Sequence, residues 1–209
     1  MSRKLVTIAM LLIAPAIFAQ EKKTQEKKPL SPGVYALFET SLGNFTAELF
    51  EKQAPKTVAN FIGLTEGTKD YTDPRTKQVT KGKPYYNGVV FHRVIEGFMI
   101  QGGDPTGTGT GGPGYTIQDE IVRDLNFDRE GRLAMANTGR PNSGSAQFFV
   151  TVAPQPSLNG GYTVFGQVVE GMDVVHKIET VPKKRGGDGA NSSPVTPVVL
   201  KKVTIQRVK

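Results

Sequence analysis

Residues 91–104 read Phe-His-Arg-Val-Ile-Glu-Gly-Phe-Met-Ile-Gln-Gly-Gly-Asp. Two short strands are predicted across it, over 89–94 and 98–101. Side chains alternate along a strand, so Met99 and Gln101 share one face. The run Gln147-Phe148-Phe149 repeats the arrangement, with Gln147 and Phe149 on one side. Each strand thus delivers one apolar group and one carboxamide to the same surface. A Gln inside a core needs dedicated partners, so these faces are read as walls of a groove.

Six further strands are expected outward from this stretch, over 34–40, 44–50, 132–136, 147–152, 163–168 and 198–207. Ser41-Leu42-Gly43 joins the first two as a hairpin. A helix is predicted where Pro55 precedes Val58, Phe61 and Ile62 at helical spacing, with Gly67 as its stop. A second follows Gly171, with Met172, Val175 and Ile178 on one face and Pro182 beyond its end. This mainly-β pattern of eight strands and two helices fits a closed barrel with helices over its openings.

Composition narrows the chemistry. The 209 residues contain no Cys and no Trp, which excludes a disulfide scaffold, a Cys-ligated metal and a thiol nucleophile. With His92 and His176 the only histidines, a multi-His metal centre is not expected. Arg3 and Lys4, then the apolar run Leu5 to Phe18 ending at Ala19, read as a signal peptide over 1–19. The run is interrupted by Pro15 and is too short for the ~20 residues of a membrane-spanning helix. Export to a periplasm or the outside is therefore expected, with no membrane span after processing. Residues 20–32 mix charges of both signs with little apolar content and read as a flexible linker, leaving 33–209 as one domain. More than half of the net charge of +7 lies in the leader and linker, so no nucleic-acid partner is expected.

Several strings lack the context that their chemistry requires. Gly107 to Gly112 formally contains GxGxxG, but Pro113-Gly-Tyr115 follows where a dinucleotide site needs a helix, so a tight loop is read here. Ser143 and Ser145 lack a nucleophile-elbow setting. Asp119-Glu120, with Asp124 and Asp128 beyond, reads as an acidic surface turn.

The 91–104 stretch, together with Met135-Ala-Asn-Thr-Gly139, Gln147-Phe148-Phe149, Val164-Phe165-Gly166 and Glu170-Gly171-Met172, closely resembles the cyclophilin family of peptidyl-prolyl isomerases over 33–209. The resemblance implies a closed eight-stranded antiparallel barrel capped by two helices, with a substrate groove on its outer face. It implies isomerisation of Xaa-Pro bonds in proline-containing peptides and unfolded protein clients, by a monomer without cofactor or metal. Such a rotation exchanges no covalent bond, so it needs only an apolar grip, a cation near the prolyl nitrogen and amides that hold the turning carbonyl.

Carried over by residue, the resemblance makes Arg93 the catalytic cation, with Gln101 and Asn137 in the catalytic set. Phe98, Met99, Phe149 and Leu158 would form the proline pocket. Gln101 and Gln147 would hydrogen-bond substrate, Ala136 and Asn137 would bind the residues before proline, and Tyr162 would supply an aromatic wall. His92 would face away and be structural. A proline-peptide binding module or holdase is the alternative; Arg93 together with both Gln residues favours the enzyme, because a binder has no use for a transition-state cation. The chain departs from the family at Ser157, where many members have Trp, and at Tyr162, where they have His. The missing Trp predicts weak inhibition by cyclosporin. Arg140 is an extra loop residue, and Lys69 to Lys83 matches poorly.

Overall fold

The computed structural model describes residues 29–209; the expected signal peptide and most of the linker lie outside them. Among the described residues no helix is long and apolar enough to cross a membrane. Strands β1 (Gly33–Thr40) and β2 (Gly43–Leu49) form the expected hairpin. The Thr40 hydroxyl fastens its turn by donating to the Gly43 carbonyl at 2.6 Å and accepting from the Leu42 amide at 3.1 Å.

Helix α1 (Pro55–Glu66) buries Val58, Phe61 and Leu64 and ends at Gly67, whose φ of 74° is the left-handed stop that favours glycine. Its start lacks a side-chain cap from Ala54. Glu120 supplies one from across the molecule: its two carboxylate oxygens accept from the amides of Lys56 at 3.0 Å and Thr57 at 2.8 Å. The supposed acidic surface turn is thus a helix cap, placed where the helix dipole favours negative charge.

The poorly matched segment 69–83 contains a small hairpin, β3 (Tyr71–Thr72) and β4 (Val79–Thr80). Then come β5 (Val89–Val90), β6 (Arg93–Ile95), β7 (Met99–Gly102), β8 (Arg132–Met135), β9 (Phe148–Thr151) and β10 (Val164–Glu170). Helix α2 (Met172–Glu179) and a second hairpin, β11 (Lys183–Arg185) with β12 (Asn191–Pro194), precede β13 (Val199–Val208).

Nine strands form one antiparallel sheet in the order β5-β13-β1-β2-β10-β8-β9-β7-β6. Two expectations are corrected here. The strand predicted over 89–94 breaks at Phe91-His92, because Val90 pairs with β13 while Arg93 pairs with β7. The eight-stranded closed barrel is instead a nine-stranded sheet curled into a half-barrel. Its two ends, β5 and β6, are consecutive in sequence and meet around a corner rather than side by side. An isolated bridge, Val90 to Asp104, crosses there.

Alternation sorts the side chains into two apolar layers. Ile100, Leu133, Met135, Phe148 and Val150 join Phe38, Phe45, Phe61, Tyr86 and Phe165 inside the curl. Phe38 and Phe45 stack at 4.5 Å, and Phe61 lies 5.1 Å from Tyr86 and 5.3 Å from Phe165. Met99, Ala134 and Phe149, from the same strands, point the other way and pack with Phe127 and Val164.

The distant cap yields a stability prediction. Glu120→Ala should lower the unfolding free energy by about 1–2 kcal/mol in urea titration, through loss of two charge-assisted bonds at the start of α1, with activity per folded molecule unchanged. An unaltered midpoint would show that the cap does not stabilise the fold.

Candidate active site

Register brings the site together. Gln101 pairs with Arg93 on one side and with Phe149 on the other, and Phe149 pairs with Ala134. Directly opposed residues share a face, so one row across β6, β7, β9 and β8 carries Arg93, Gln101, Phe149 and Ala134. Met99 lies two residues along. Loops add Phe98 before β7, Ala136 and Asn137 after β8, and Leu158 and Tyr162 before β10. Arg93, Phe98, Met99, Gln101, Ala136, Asn137, Phe149, Leu158 and Tyr162 together line a cavity of about 100 Å³. Every predicted site residue but one is on that wall.

The exception is Gln147. It lines an adjoining cavity of about 390 Å³ bounded by Gly109 to Gly112, Asn137, Thr138 and Ser145. Its amide nitrogen donates to the carbonyls of Gly109 at 3.0 Å and Gly111 at 2.9 Å, while its oxygen accepts from Gln101 Nε2 at 3.0 Å. Gln147 therefore ties the glycine loop to the groove. Asn137 is similarly engaged: Nδ2 donates to the Gly161 carbonyl at 2.9 Å and Oδ1 accepts from the Gly139 amide at 3.0 Å.

The floor is apolar and the rim polar. Phe149 packs edge-on to Tyr162 at 5.3 Å and stacks on Phe127 at 5.8 Å. The Arg93 guanidinium lies 5.9 Å from the Phe98 ring centre. Its NH1 faces Met99 Sδ at 3.9 Å and Gln101 Oε1 at 3.5 Å. On the other edge, Nε donates to Asp188 Oδ2 at 2.8 Å.

Asp104, Glu179 and Gln155 also support the site, although no sequence pattern singled them out. Asp104, fully buried, accepts from the amides of Thr106, Gly109 and Gly111. Burial alone would raise its carboxyl pKa, but these donors hold it below the ordinary value. The loop it anchors carries Gly107 and Gly109 at positive φ, as expected of a tight loop rather than a dinucleotide fingerprint. His92 lies beneath that loop, with its ring nitrogens buried and its pKa lowered chiefly by desolvation, consistent with a structural side chain. Glu179 of α2 reaches the groove from the far side: its Oε2 accepts from the Gly97 amide at 2.9 Å, next to Phe98. Gln155 donates to the Gly97 carbonyl at 2.8 Å, and Gly97 turns at φ 69°.

His176 couples to this turn. Its Nδ1 lies 2.6 Å from Glu179 Oε1 and its Nε2 lies 3.1 Å from Glu130 Oε2. The Glu179 bond, aided by Glu130, raises the imidazole pKa above the ordinary 6.5. A raised pKa stabilises the fold fully below the unfolded-state value, and that contribution is lost as pH rises through the folded value. The stability gap between wild type and His176→Gln should accordingly narrow from about pH 6 to about pH 8 in urea titrations; a gap independent of pH would contradict the pairing.

Residues 35–206 match the family model for cyclophilin type peptidyl-prolyl cis-trans isomerases. The chain is 50% identical over 172 residues to peptidyl-prolyl cis-trans isomerase A of Mycobacterium tuberculosis, covering 81% of this chain and 91% of the relative. It is 42% identical over 175 residues to peptidyl-prolyl cis-trans isomerase B of Streptomyces anulatus, covering 83% and 97%. A crystal structure of a Cryptosporidium parvum cyclophilin, solved in the presence of the dipeptide Ala-Pro, superposes with a TM-score of 0.70 at 34% identity, covering 83% of this chain and 99% of that one. With the strand register, the groove and these relatives in agreement, the chain belongs to the cyclophilin family and is a peptidyl-prolyl cis-trans isomerase.

Proposed function

We propose that the chain rotates Xaa-Pro bonds of exported, incompletely folded proteins by non-covalent stabilisation of the twisted amide, with Arg93 as the catalytic cation. The observation that carries this reading is the meeting, in one small cavity, of an apolar floor with a guanidinium edge. The barrier to be lowered is the amide resonance of ~18–20 kcal/mol. A prolyl ring seated on Phe98, Met99, Phe149 and Leu158 stays fixed while the preceding carbonyl turns.

As resonance is lost, the lone pair localises on the prolyl nitrogen. Arg93 NH1, on the groove side of its guanidinium, donates to it there and much less to the planar ground state. Gln101 helps to hold that edge through its carboxamide oxygen. The Asn137 side chain is occupied by Gly161 and Gly139, so this residue and Ala136 would meet the residues before proline through their backbone. The exported setting rests on the leader residues Arg3, Lys4 and Leu5 to Phe18. Slow prolyl isomerisation there would otherwise limit folding to tens of seconds or longer.

In a protease-coupled isomerisation assay, Arg93→Ala should lower kcat/KM by about 10²-fold or more, or ~2.7 kcal/mol, with peptide binding by NMR titration kept within a few-fold. Retained turnover would overturn the assignment of Arg93. Ser157, exposed on a 3-10 turn over Pro156–Leu158 beside the groove, stands where many family members have Trp. Ser157→Trp should therefore tighten cyclosporin inhibition by about tenfold or more, ~1.4 kcal/mol, and leave kcat/KM within about twofold; equal inhibition of both proteins would remove this position from inhibitor binding.

A further inference from the structure

We infer that Asp188, at the tip of the β11–β12 hairpin, is the positioning residue for Arg93: it grips one edge of the guanidinium and thereby aims the other into the groove. The inference rests on the reading of Arg93 as the catalytic cation.

The geometry divides the guanidinium in two. Nε is bound to Asp188 Oδ2 at 2.8 Å, and NH1 faces Met99 and Gln101. The group is planar and rigid, so fixing one edge fixes the direction of the other. Asp188 is itself held through its second oxygen, Oδ1, which accepts from the Ser192 hydroxyl at 2.6 Å and the Ala190 amide at 3.0 Å. Ser192 is buried, the hairpin tip is closed by Gly186 N to Ala190 O at 2.8 Å, and β12 packs against β6, the strand that carries Arg93. The Ser192 and Arg93 bonds hold the Asp188 carboxyl down to about 2, so it is ionised wherever the enzyme would work.

Arg93 needs such a partner because of where it stands. Its side chain is 33% exposed and that of Asp188 25%. Arg93 lines both the small groove and a second cavity of about 510 Å³, which Asp188, Thr108, Gly187 and Ser193 also line. A long side chain between two open spaces has many rotamers to choose from, most of which would turn NH1 away from the prolyl nitrogen. An ion pair this exposed adds little to stability. Its effect is expected in turnover.

The test is a double-mutant cycle on the full domain. Asp188→Ala and Asp188→Asn should each lower kcat by about tenfold, with peptide KM and the melting temperature nearly unchanged. In an Arg93→Ala background, Asp188→Ala should cause no further loss. NMR of the arginine side chain gives a readout independent of turnover: the Arg93 Nε–H signal should be sharp and protected in wild type and broadened or lost in Asp188→Asn. Wild-type kcat and an unchanged Nε–H signal in the Asp188 variants, alongside an impaired Arg93→Ala, would overturn the positioning role and leave the role of Arg93 standing. Additive losses in the cycle would show that Asp188 acts apart from Arg93, which equally refutes positioning. An unimpaired Arg93→Ala would instead sink the reading on which the inference rests.

Discussion

A one-residue slip of β6 against β7 would carry Arg93 into the aromatic core and expel Val94 to the groove. The register of the four strands at this end of the sheet is therefore the constraint on which the site depends. Val94, Ile100 and Val150 share one inner row across β6, β7 and β9, and burying them offsets any gain from a shifted pairing. The turn between β6 and β7 is held at Gly97 by Glu179 from α2 and Gln155 from the loop after β9. At the other end of β7, Gly103 sits at φ 89°, and a Cβ there would lie 2.6 Å from the Ala146 carbonyl, so only glycine fits and the strand stops where it does.

Once the register is set, a chain of polar contacts runs over the surface of the groove. It starts at Asp188, passes through Arg93 and Gln101 to Gln147, and reaches the carbonyls of Gly109 and Gly111. The amides of those same two glycines end on Asp104. Each carboxamide is oriented by what stands on either side of it: Gln147 gives its nitrogen to the loop and so offers its oxygen to Gln101, whose own oxygen then faces Arg93. Two carboxylates close the ends, one in the hairpin and one buried. Orientation is cooperative along such a chain, so the direction of the Arg93 guanidinium is coupled to groups well beyond its own strand.

Much of this could be read in the sequence, and what could not has a physical reason. Period-2 alternation around Met99, Gln101, Gln147 and Phe149 gave the shared outer face, because a Gln stands two residues from each apolar group and Gln101 opposes Phe149 across the sheet. The 89–94 segment defeated that reading: Val89 to Val94 is uniformly strand-like, and the change of partner at Phe91-His92 is a tertiary event with no local signature. The hairpins β3–β4 and β11–β12 were missed because their strands are too short and too polar to show a period, although the Asp188-Gly189 dipeptide is a turn signal that could have flagged the second. Glu120 and Asp188 act on partners 63 or more and 95 residues away. The loop that Gln147 binds, through the Gly109 and Gly111 carbonyls, lies 38 and 36 residues away and left no mark beside it in the sequence.

The backbone around Leu158 is held independently of its neighbour's side chain. Leu158 enters the apolar floor from the short 3-10 turn over Pro156–Leu158, and that turn is fixed by its backbone. The Leu158 amide donates to the Gln155 carbonyl at 2.9 Å, and the Gln155 amide donates to the Phe127 carbonyl at 2.8 Å. Asn159 Oδ1 accepts from the Phe127 amide at 2.8 Å, so the turn and the Phe127 segment are clamped from both directions. None of these bonds involves the side chain at 157. A small polar residue there leaves the backbone bonds that hold Leu158 in the groove lining untouched. The position of Leu158 in the groove lining is thus set by main-chain geometry, whereas the surface beyond it ends in one exposed side chain, Ser157.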